Sequence, residues 1–178
     1  MAILATAVAT LAAQNRKHTM HYSTNGGEDL YLDRYVSEKA EGKRPCVIFV
    51  FGGGFATGVR DAEKYIPYFD MLTDNGYDVV SVDYRLGLKA TQSPDYDSKS
   101  VGLIETIRTM KNSVDYAVED VLTATKIILD NAVEWNIDTS KIIVSGSSAG
   151  AISSLQAENN ICNRTEMAKI LPADFNYA

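Results

Sequence analysis

A serine lies between two glycines in the segment Gly146-Ser147-Ser148-Ala149-Gly150, directly after the apolar run at residues 141–145. A Gly-x-Ser-x-Gly segment between a strand and a helix is a nucleophile elbow, which holds the serine hydroxyl at the tip of a sharp turn. Glycines are needed there because side chains would collide with neighbouring backbone. Residues 149–157 are compatible with the helix that such an elbow requires. The pattern therefore predicts that Ser148 is a nucleophile for acyl transfer.

Three consecutive glycines, Gly52, Gly53 and Gly54, follow a second apolar run at residues 46–51. A loop without side chains lets its N–H groups approach a ligand closely. Acyl transfer requires such donors, because the carbonyl oxygen becomes negatively charged in the tetrahedral intermediate. The alternatives are a flexible glycine turn and a phosphate-binding loop. The segment has neither the Gly-Lys-Ser/Thr ending nor the Gly-x-Gly-x-x-Gly spacing of phosphate loops, so we favour an oxyanion hole.

Together these segments resemble the esterase/lipase branch of the α/β-hydrolase superfamily, whose oxyanion loop has the form His-Gly-Gly-Gly. The matching pieces are Phe51-Gly52-Gly53-Gly54-Phe55, Asp83-Tyr84-Arg85-Leu86 and Gly146-Ser147-Ser148-Ala149-Gly150. The resemblance extends from about Tyr31 to the end of the chain. It implies the α/β-hydrolase fold, with a mostly parallel sheet and flanking helices, truncated after the helix of the nucleophile elbow.

The resemblance also implies a role for each matched residue. Ser148 would be the catalytic nucleophile, and the oxyanion hole would consist of the N–H groups of Gly53, Gly54 and Ala149. Further residues would support the two motifs without doing chemistry: Gly52, Gly146, Gly150 and Asp83, the last of which would brace the site from behind. Phe51 stands where the branch has histidine. This departure weakens the match to the subfamily more than it weakens the mechanism.

The catalytic acid and base of the superfamily have no counterpart in this sequence. Their order is Ser, then Asp or Glu, then His, and a serine needs the base to become nucleophilic. No histidine follows Ser148, and Asp174 is too close to it in the chain to be the acid. His18 and His21 precede the first predicted core strand, and we expect both at surface or turn positions. We therefore expect the N-terminal portion of a longer esterase, inactive alone, with residues 175–178 near the start of a further strand.

Four interpretations remain open. The first is a serine-dependent carboxylic ester hydrolase that forms an acyl-enzyme on Ser148 with a small-molecule ester as substrate. The second is a serine peptidase of the same fold, and the third is a non-catalytic binding protein of that fold. The fourth is an unstable fragment, because five strands leave an exposed parallel edge. We favour the first interpretation for the complete protein, and we expect no cofactor or metal.

Composition excludes several classes of protein. The 178 residues suffice for one domain, and we expect residues 18–178 to form part of a single α/β-hydrolase domain. A formal net charge of −6 argues against nucleic acid as a partner, because binding to phosphates depends on Lys and Arg. No apolar run is long enough to span a bilayer. Two cysteines and two histidines form neither a disulfide framework nor a metal-ligand pattern.

Residues 2–13 are apolar and rich in alanine, and polar residues follow them. They resemble the hydrophobic centre of a secretory signal peptide, although the positively charged start is absent. We interpret residues 1–17 as a signal-peptide remnant or an N-terminal extension. This predicts a secreted or periplasmic protein, with a cytoplasmic protein as the alternative.

Apolar periodicity and turn residues predict a βαβ order that positions the motifs. The predicted strands are residues 30–36, 46–51, 78–83 and 141–145, the first of them after an Asn25-Gly26-Gly27 turn. A helix is predicted from near Pro67 to Asn75-Gly76, with Tyr65, Ile66, Phe69 and Leu72 packing on the sheet. A second helix is predicted over residues 113–135, followed by a turn at residues 136–140.

The polar segment between the strand at residues 78–83 and the second helix has two interpretations. It leaves the sheet on the side where Ser148 is expected, so it would rim an acyl pocket in which Leu88 or Tyr96 touches the substrate. The alternative is a solvated connector, which we slightly favour.

Overall fold

The computed structural model describes residues 16–39, 41–97 and 99–178. The alanine-rich stretch interpreted as part of a leader falls in residues 1–15, outside the described residues, and its role stays a prediction. Within the described ranges, no helix has the length and apolarity needed to cross a membrane.

In the described part of the chain, five strands form one mixed sheet in the order β1-β2-β4-β3-β5. The strands are β1 (Lys17–Asn25), β2 (Glu28–Tyr35), β3 (Arg44–Val50), β4 (Asp78–Val82) and β5 (Ile137–Gly146). β3 pairs in parallel with both β4 and β5, whereas β2 is antiparallel to both β1 and β4. The ends of β3, β4 and β5 therefore meet at one edge, which we call the carboxyl edge. In sheets of this kind, ligands bind at that edge.

Among the residues that the structure describes, three helices connect or follow the parallel strands: α1 (Ile66–Asp74), α2 (Leu103–Asp130) and α3 (Ala149–Cys162). Short 3₁₀ segments lie at Glu63–Tyr65, Lys89–Gln92 and Glu166–Ile170. α1 has a proline in its first turn and is followed by Gly76 with φ of +90°. The predicted helix and its glycine stop are therefore confirmed, because only a left-handed backbone lets the chain leave the helix in this way.

The core covers both faces of the central strands. β3 and β4 are buried along nearly their whole length, as their continuous apolar runs predict. Phe49 of β3 contacts Phe69 of α1, with 5.1 Å between ring centroids. Alternate residues such as Ile48 point to the other face and are also fully buried. On the helical side, α2 packs against α3, and α3 packs against β5.

The strand β1 was not predicted from the sequence. It lies at one edge of the sheet, and Tyr22 is its only buried residue, so its side chains show little of the alternation that marks a half-buried strand. His18 and His21 are exposed on β1, as expected of surface positions. The predicted turn after β1 is confirmed. Both of its glycines have positive φ, as a two-residue hairpin turn of type I′ requires.

The boundaries of α2 also differ from the prediction. The helix begins at Leu103 rather than at Ser113, and it ends at Asp130 rather than at Trp135. Leu103 and Ile104 are about three-quarters exposed, so the first turns have no buried stripe that periodicity can detect. Four apolar residues at helical spacing, in this helix and just after it, are buried in the core: Val118, Val121, Ile128 and Ala132.

The predicted turn at residues 136–140 is partly wrong, because β5 already begins at Ile137. Ile137 pairs with Arg44 of β3, but the pairing then breaks and resumes only at Ile142. In the interruption, both the N–H and the hydroxyl of Ser140 donate to Asp138. Such local bonds are typical of turns, so a turn-like irregularity lies inside the strand.

A buried carboxylate, Asp78, joins three strands at the edge opposite the carboxyl edge. It accepts bonds from the guanidinium of Arg34 (2.8 and 3.0 Å), from Nε of Arg44 (2.7 Å) and from the N–H of Ser37 (3.0 Å). Both arginines also donate to the carbonyl oxygen of Trp135, each at 2.7 Å. Asp78 thereby fixes β2, β3 and the segment after α2 to the start of β4.

We expect Asp78→Asn to lower the free energy of unfolding by about 3–5 kcal/mol, because it leaves two nearly buried guanidinium groups without their counter-charge. Urea-induced unfolding at pH 7, followed by circular dichroism, measures this change. The matched control is Asp130→Asn, which breaks an exposed pair with Lys126 and should change stability by at most about 0.5 kcal/mol. Equal effects of the two variants would contradict the assigned role of Asp78.

Candidate active site

Ser148 lies on an exposed, strained turn at the carboxyl edge. β5 ends at Gly146 and α3 begins at Ala149, so Ser147 and Ser148 alone reverse the chain. The backbone of Ser148 has φ of +52° and ψ of −116°. Side chains rarely adopt such a conformation, which costs on the order of 1–3 kcal/mol and persists only where the surroundings enforce it. The geometry is that of a nucleophile elbow with its hydroxyl accessible to solvent.

The elbow packs directly against the end of β3. The N–H of Ser147 donates to the carbonyl oxygen of Val50 at 3.1 Å. A Cβ atom on Gly150 would lie only 2.0 Å from the same oxygen and 2.6 Å from the carbonyl oxygen of Phe51. Only glycine therefore allows the first turn of α3 to approach β3 this closely.

The glycine loop and the elbow are in contact at Gly52. A Cβ atom on Gly52 would lie 2.5 Å from the carbonyl oxygen of Ser147 and 3.1 Å from the Cβ of Ser148. The structure thus brings together two motifs that lie far apart in the chain. No side chain stands between the glycine loop and Ser148 at this point.

Two N–H groups of the glycine loop, those of Gly53 and Gly54, are available to a ligand in the described structure. The carbonyl oxygen of Gly53 accepts bonds from the N–H groups of Ala56 and Thr57, at 3.1 and 3.0 Å. Among the described residues, the N–H groups of Gly53, Gly54 and Ala149 donate to no protein atom. The loop therefore satisfies a carbonyl oxygen internally and leaves available the three donors that the sequence predicts for the oxyanion hole.

Two tyrosine hydroxyl groups hold the peptide unit that precedes this loop. The hydroxyl of Tyr84 donates to the carbonyl oxygen of Phe51 at 2.9 Å, and the N–H of Gly52 donates to the hydroxyl of Tyr65 at 3.1 Å. The sequence predicts Tyr65 only as a packing residue. No spacing rule would have found either contact, because both hydroxyl groups reach the loop across the fold.

Phe51, which replaces the histidine of the subfamily pattern, is buried. Its ring stacks on that of Tyr84, with centroids 4.5 Å apart and an interplanar angle of 28°. Burial raises the pKa of Tyr84 well above its ordinary value, so its hydroxyl stays protonated and remains a donor. An aromatic pair therefore occupies this position and supports the loop from the core.

Asp83 binds neighbouring elements and makes no hydrogen bond to Ser148 in the described structure. Its carboxylate accepts bonds from Arg60 (2.7 Å) and from the N–H of Tyr31 (3.2 Å), and its carbonyl oxygen accepts one from Tyr22 (2.6 Å). Burial raises the pKa of the Asp83 carboxyl, although Arg60 and the N–H of Tyr31 oppose that effect. These contacts suit the predicted bracing role, which stays a prediction.

The segment after β4 is attached to the glycine loop. The N–H of Leu88 donates to the carbonyl oxygen of Phe55 at 2.8 Å, and the Leu88 side chain is half-buried against the core. Tyr96 is exposed. Neither the rim nor the connector interpretation is tested by these contacts, but the segment begins as part of the site's support.

The two histidines lie far from Ser148. His18 and His21 are on β1, whereas Ser148 follows β5 at the opposite edge of the five-stranded sheet. Four strand spacings amount to roughly 19 Å, far beyond the reach of a hydrogen bond. Asp174 lines a cavity of about 550 Å³ with Thr139 and Ser140. These two residues lie in the interrupted first half of β5, away from the elbow at its other end.

The described residues contain no group of three or more His, Cys, Asp or Glu residues placed to share a metal ion.

Comparison with known proteins supports the resemblance to esterases of the α/β-hydrolase superfamily. The BD-FAE family model matches residues 32–96. Fumonisin B1 esterase of Sphingopyxis macrogoltabida is 31% identical over 126 residues, which cover 68% of this chain and 21% of that protein. Gut esterase 1 of Caenorhabditis briggsae is 29% identical over 133 residues, which cover 74% and 21% respectively.

The fold matches solved structures of an esterase. Est2 of the Planctomycetes species Thermogutta terrifontis superposes with a TM-score of 0.58 and 23% identity, over 78% of this chain and 42% of that one. The chain belongs to the α/β-hydrolase superfamily. The superfamily and its sheet with flanking helices are thus confirmed; the sheet is mixed, with two parallel and two antiparallel pairings among the described strands. The proteins that match this α/β-hydrolase chain include several esterases. The chain spans about a fifth of the length of these curated relatives.

We expect Gly150→Ala to destabilise this α/β-hydrolase by about 2–3 kcal/mol or more, because the added methyl group overlaps the backbone of β3 and forces the elbow away. Chemical denaturation of the full-length protein measures the loss. The matched control is Gly102→Ala. Gly102 precedes α2 with φ of −70° and open space around its Cβ position, so its replacement should change stability by at most about 0.5 kcal/mol. A tolerated Gly150→Ala would contradict the close contact.

Proposed function

We propose that the complete protein is a serine-dependent carboxylic ester hydrolase that acts on small-molecule esters without a cofactor. The observation that carries this proposal is the contact of Gly52 with the elbow, which brings the glycine loop beside Ser148. In the proposed reaction, Ser148 attacks the ester carbonyl and the alcohol leaves. Water then attacks the acyl-enzyme and releases the acid.

The oxyanion of each tetrahedral intermediate would bind to the N–H groups of Gly53, Gly54 and Ala149. Backbone donors held in place by the fold need no reorganisation when the charge develops, which makes them effective in catalysis. Loss of one such donor lowers kcat by roughly 10²–10³-fold in other serine hydrolases. Ala149 also starts α3, and the positive end of the helix dipole adds to the stabilisation of a negative oxygen.

We further propose that the general base and its acid partner come from polypeptide other than these 178 residues. Two observations support this. His18 and His21 lie across the sheet from Ser148, and the curated relatives are several times longer than their matched segments. On this proposal, the 178-residue chain alone has little or no turnover, because its serine lacks the base that takes its proton.

The second candidate is a non-catalytic binding protein on the same scaffold. One relative, the neuroligin-like protein glit-1 of Caenorhabditis elegans, is named for neuroligin rather than for hydrolysis; it is 30% identical over 127 residues, which cover 70% of this chain and 15% of that protein. A binding protein would keep the elbow and the loop as structure, and replacement of Ser148 would leave its binding unchanged.

We expect the full-length protein to be labelled by a fluorophosphonate probe at Ser148, and we expect Ser148→Ala to abolish both this labelling and the hydrolysis of p-nitrophenyl esters. Phosphorylation of the Thermogutta terrifontis esterase by paraoxon makes this class of probe a suitable choice. Peptide mass spectrometry identifies the labelled serine.

The matched control for this experiment is Ser140→Ala, which removes an exposed hydroxyl from the same strand at its other end. It should be labelled and hydrolyse esters like the wild type. Undiminished labelling of Ser148→Ala would contradict the proposed role of Ser148 as the nucleophile. Absence of both labelling and turnover in the wild type would favour the binding protein.

A further inference from the structure

The hydroxyl of Tyr65 lies where the glycine loop meets the elbow. It accepts a hydrogen bond from the N–H of Gly52 at 3.1 Å. Gly52 opens the glycine loop, and a Cβ atom on it would lie 2.5 Å from the carbonyl oxygen of Ser147, which directly precedes the proposed nucleophile. One side chain from the segment before α1 thus binds the glycine loop at the point where the loop meets the elbow.

The ring of Tyr65 is held in place. It packs against Phe49 of β3, with centroids 4.7 Å apart, and against Phe69 of α1. The ammonium of Lys64 lies over the ring, 4.8 Å from its centroid. The backbone N–H of Tyr65 donates to the carbonyl oxygen of Ala62 at 2.9 Å. The hydroxyl group therefore has a defined position that the surrounding core determines.

Tyr65 and Tyr84 hold opposite sides of one peptide unit. The carbonyl oxygen of Phe51 and the N–H of Gly52 belong to the same planar group, and each is bound to one of the two hydroxyl groups. Because the plane is rigid, two bonds on opposite sides fix its orientation. The next N–H group along the chain is that of Gly53, a proposed oxyanion donor, so its direction depends on this plane.

We propose that Tyr65 is a positioning residue of the active site, which with Tyr84 clamps the peptide unit between Phe51 and Gly52 and so aims the oxyanion donors. The inference rests on the proposed ester hydrolysis and adds to it a residue outside the family motifs. Tyr65 acts through the loop and makes no contact with the reacting atoms.

The hydrogen-bonding environment of Tyr65 agrees with this role. Partial burial raises the pKa of the phenol, but the N–H of Gly52, the hydroxyl of Ser147 and the ammonium of Lys64 together outweigh that effect, and the net pKa lies below its ordinary value. The N–H of Gly52 therefore places positive charge density close to the phenol oxygen, as expected where that oxygen is the acceptor.

Tyr68 provides an internal comparison. It lies one helical turn further on and packs against the same ring of Phe49, with centroids 5.8 Å apart. Its hydroxyl, however, lies 3.4 Å from Oγ of Ser145 in β5 and makes no hydrogen bond to the described part of the glycine loop. The two tyrosines share their packing and differ in the group that the hydroxyl binds.

The test compares Tyr65→Phe and Tyr68→Phe in the full-length protein. We expect Tyr65→Phe to lower kcat at least about tenfold while KM changes less than twofold, because small displacements of catalytic groups act mainly on the transition state. The affinity for a trifluoromethyl ketone, which forms an oxyanion on the serine, should fall by a similar factor. Tyr68→Phe should stay within twofold of the wild type in all three quantities.

A second variant probes the other side of the clamp. Tyr84→Phe should also lower kcat without a matching change in KM, because it frees the carbonyl oxygen of the same peptide unit. Thermal unfolding checks that each variant is folded.

Several results would overturn the inference. One is an equal effect of Tyr65→Phe and Tyr68→Phe, and another is a rise in KM with unchanged kcat. If the wild type is active and Tyr65→Phe has the same kcat, this inference alone is overturned. A wild type without turnover overturns the proposed function as well.

Discussion

The close approach of two backbones at the carboxyl edge is the constraint on which the site depends. The end of β3 and the first turn of α3 touch without side chains between them, at Gly52 and Gly150. This contact forces the chain through the strained conformation of Ser148 and exposes its hydroxyl. Any side chain at either glycine would separate the proposed nucleophile from the proposed oxyanion donors. The glycines therefore act by allowing the backbones of β3 and α3 to come close together. The rest of the sheet holds the two backbones in this position.

Charged and aromatic contacts fix the two ends of the central strands in different ways. At the amino end of β4, Asp78 neutralises two arginines and joins three strands. At the carboxyl end, Asp83 binds Arg60, and Arg60 also lies 3.0 Å from the fully buried Asp33 of β2. The tyrosine hydroxyl groups then connect this frame to the glycine loop. The hairpin of β1 and β2 has no part in the proposed chemistry, but through these contacts it contributes to the rigidity of the site.

The sequence predicted what depends on local chain geometry. The two glycine motifs, the parallel strands and the stop of α1 after Asp74 follow from turn chemistry and apolar runs, and all were found. β1 was not predicted because an edge strand with one buried residue shows almost no alternation of apolar and polar residues. The first turns of α2 were not predicted because they are exposed on all sides and so have no apolar stripe. The hydroxyl contacts of Tyr65 and Tyr84 could be found only from the structure, because the residues next to a tyrosine in the sequence do not indicate what its hydroxyl binds.

The strand order has a consequence for how the site comes into being. β3 lies between β4, which follows it closely in the chain, and β5, which follows it only after the whole of α2. The β3–α1–β4 unit has local connections and can assemble early, whereas the pairing of β5 requires closure of a long loop and is intrinsically slow. We therefore expect the elbow and the glycine loop to meet late in folding. Until β5 pairs, the end of β3 would be an unpaired apolar edge, and the proposed nucleophile would lie apart from the proposed oxyanion donors.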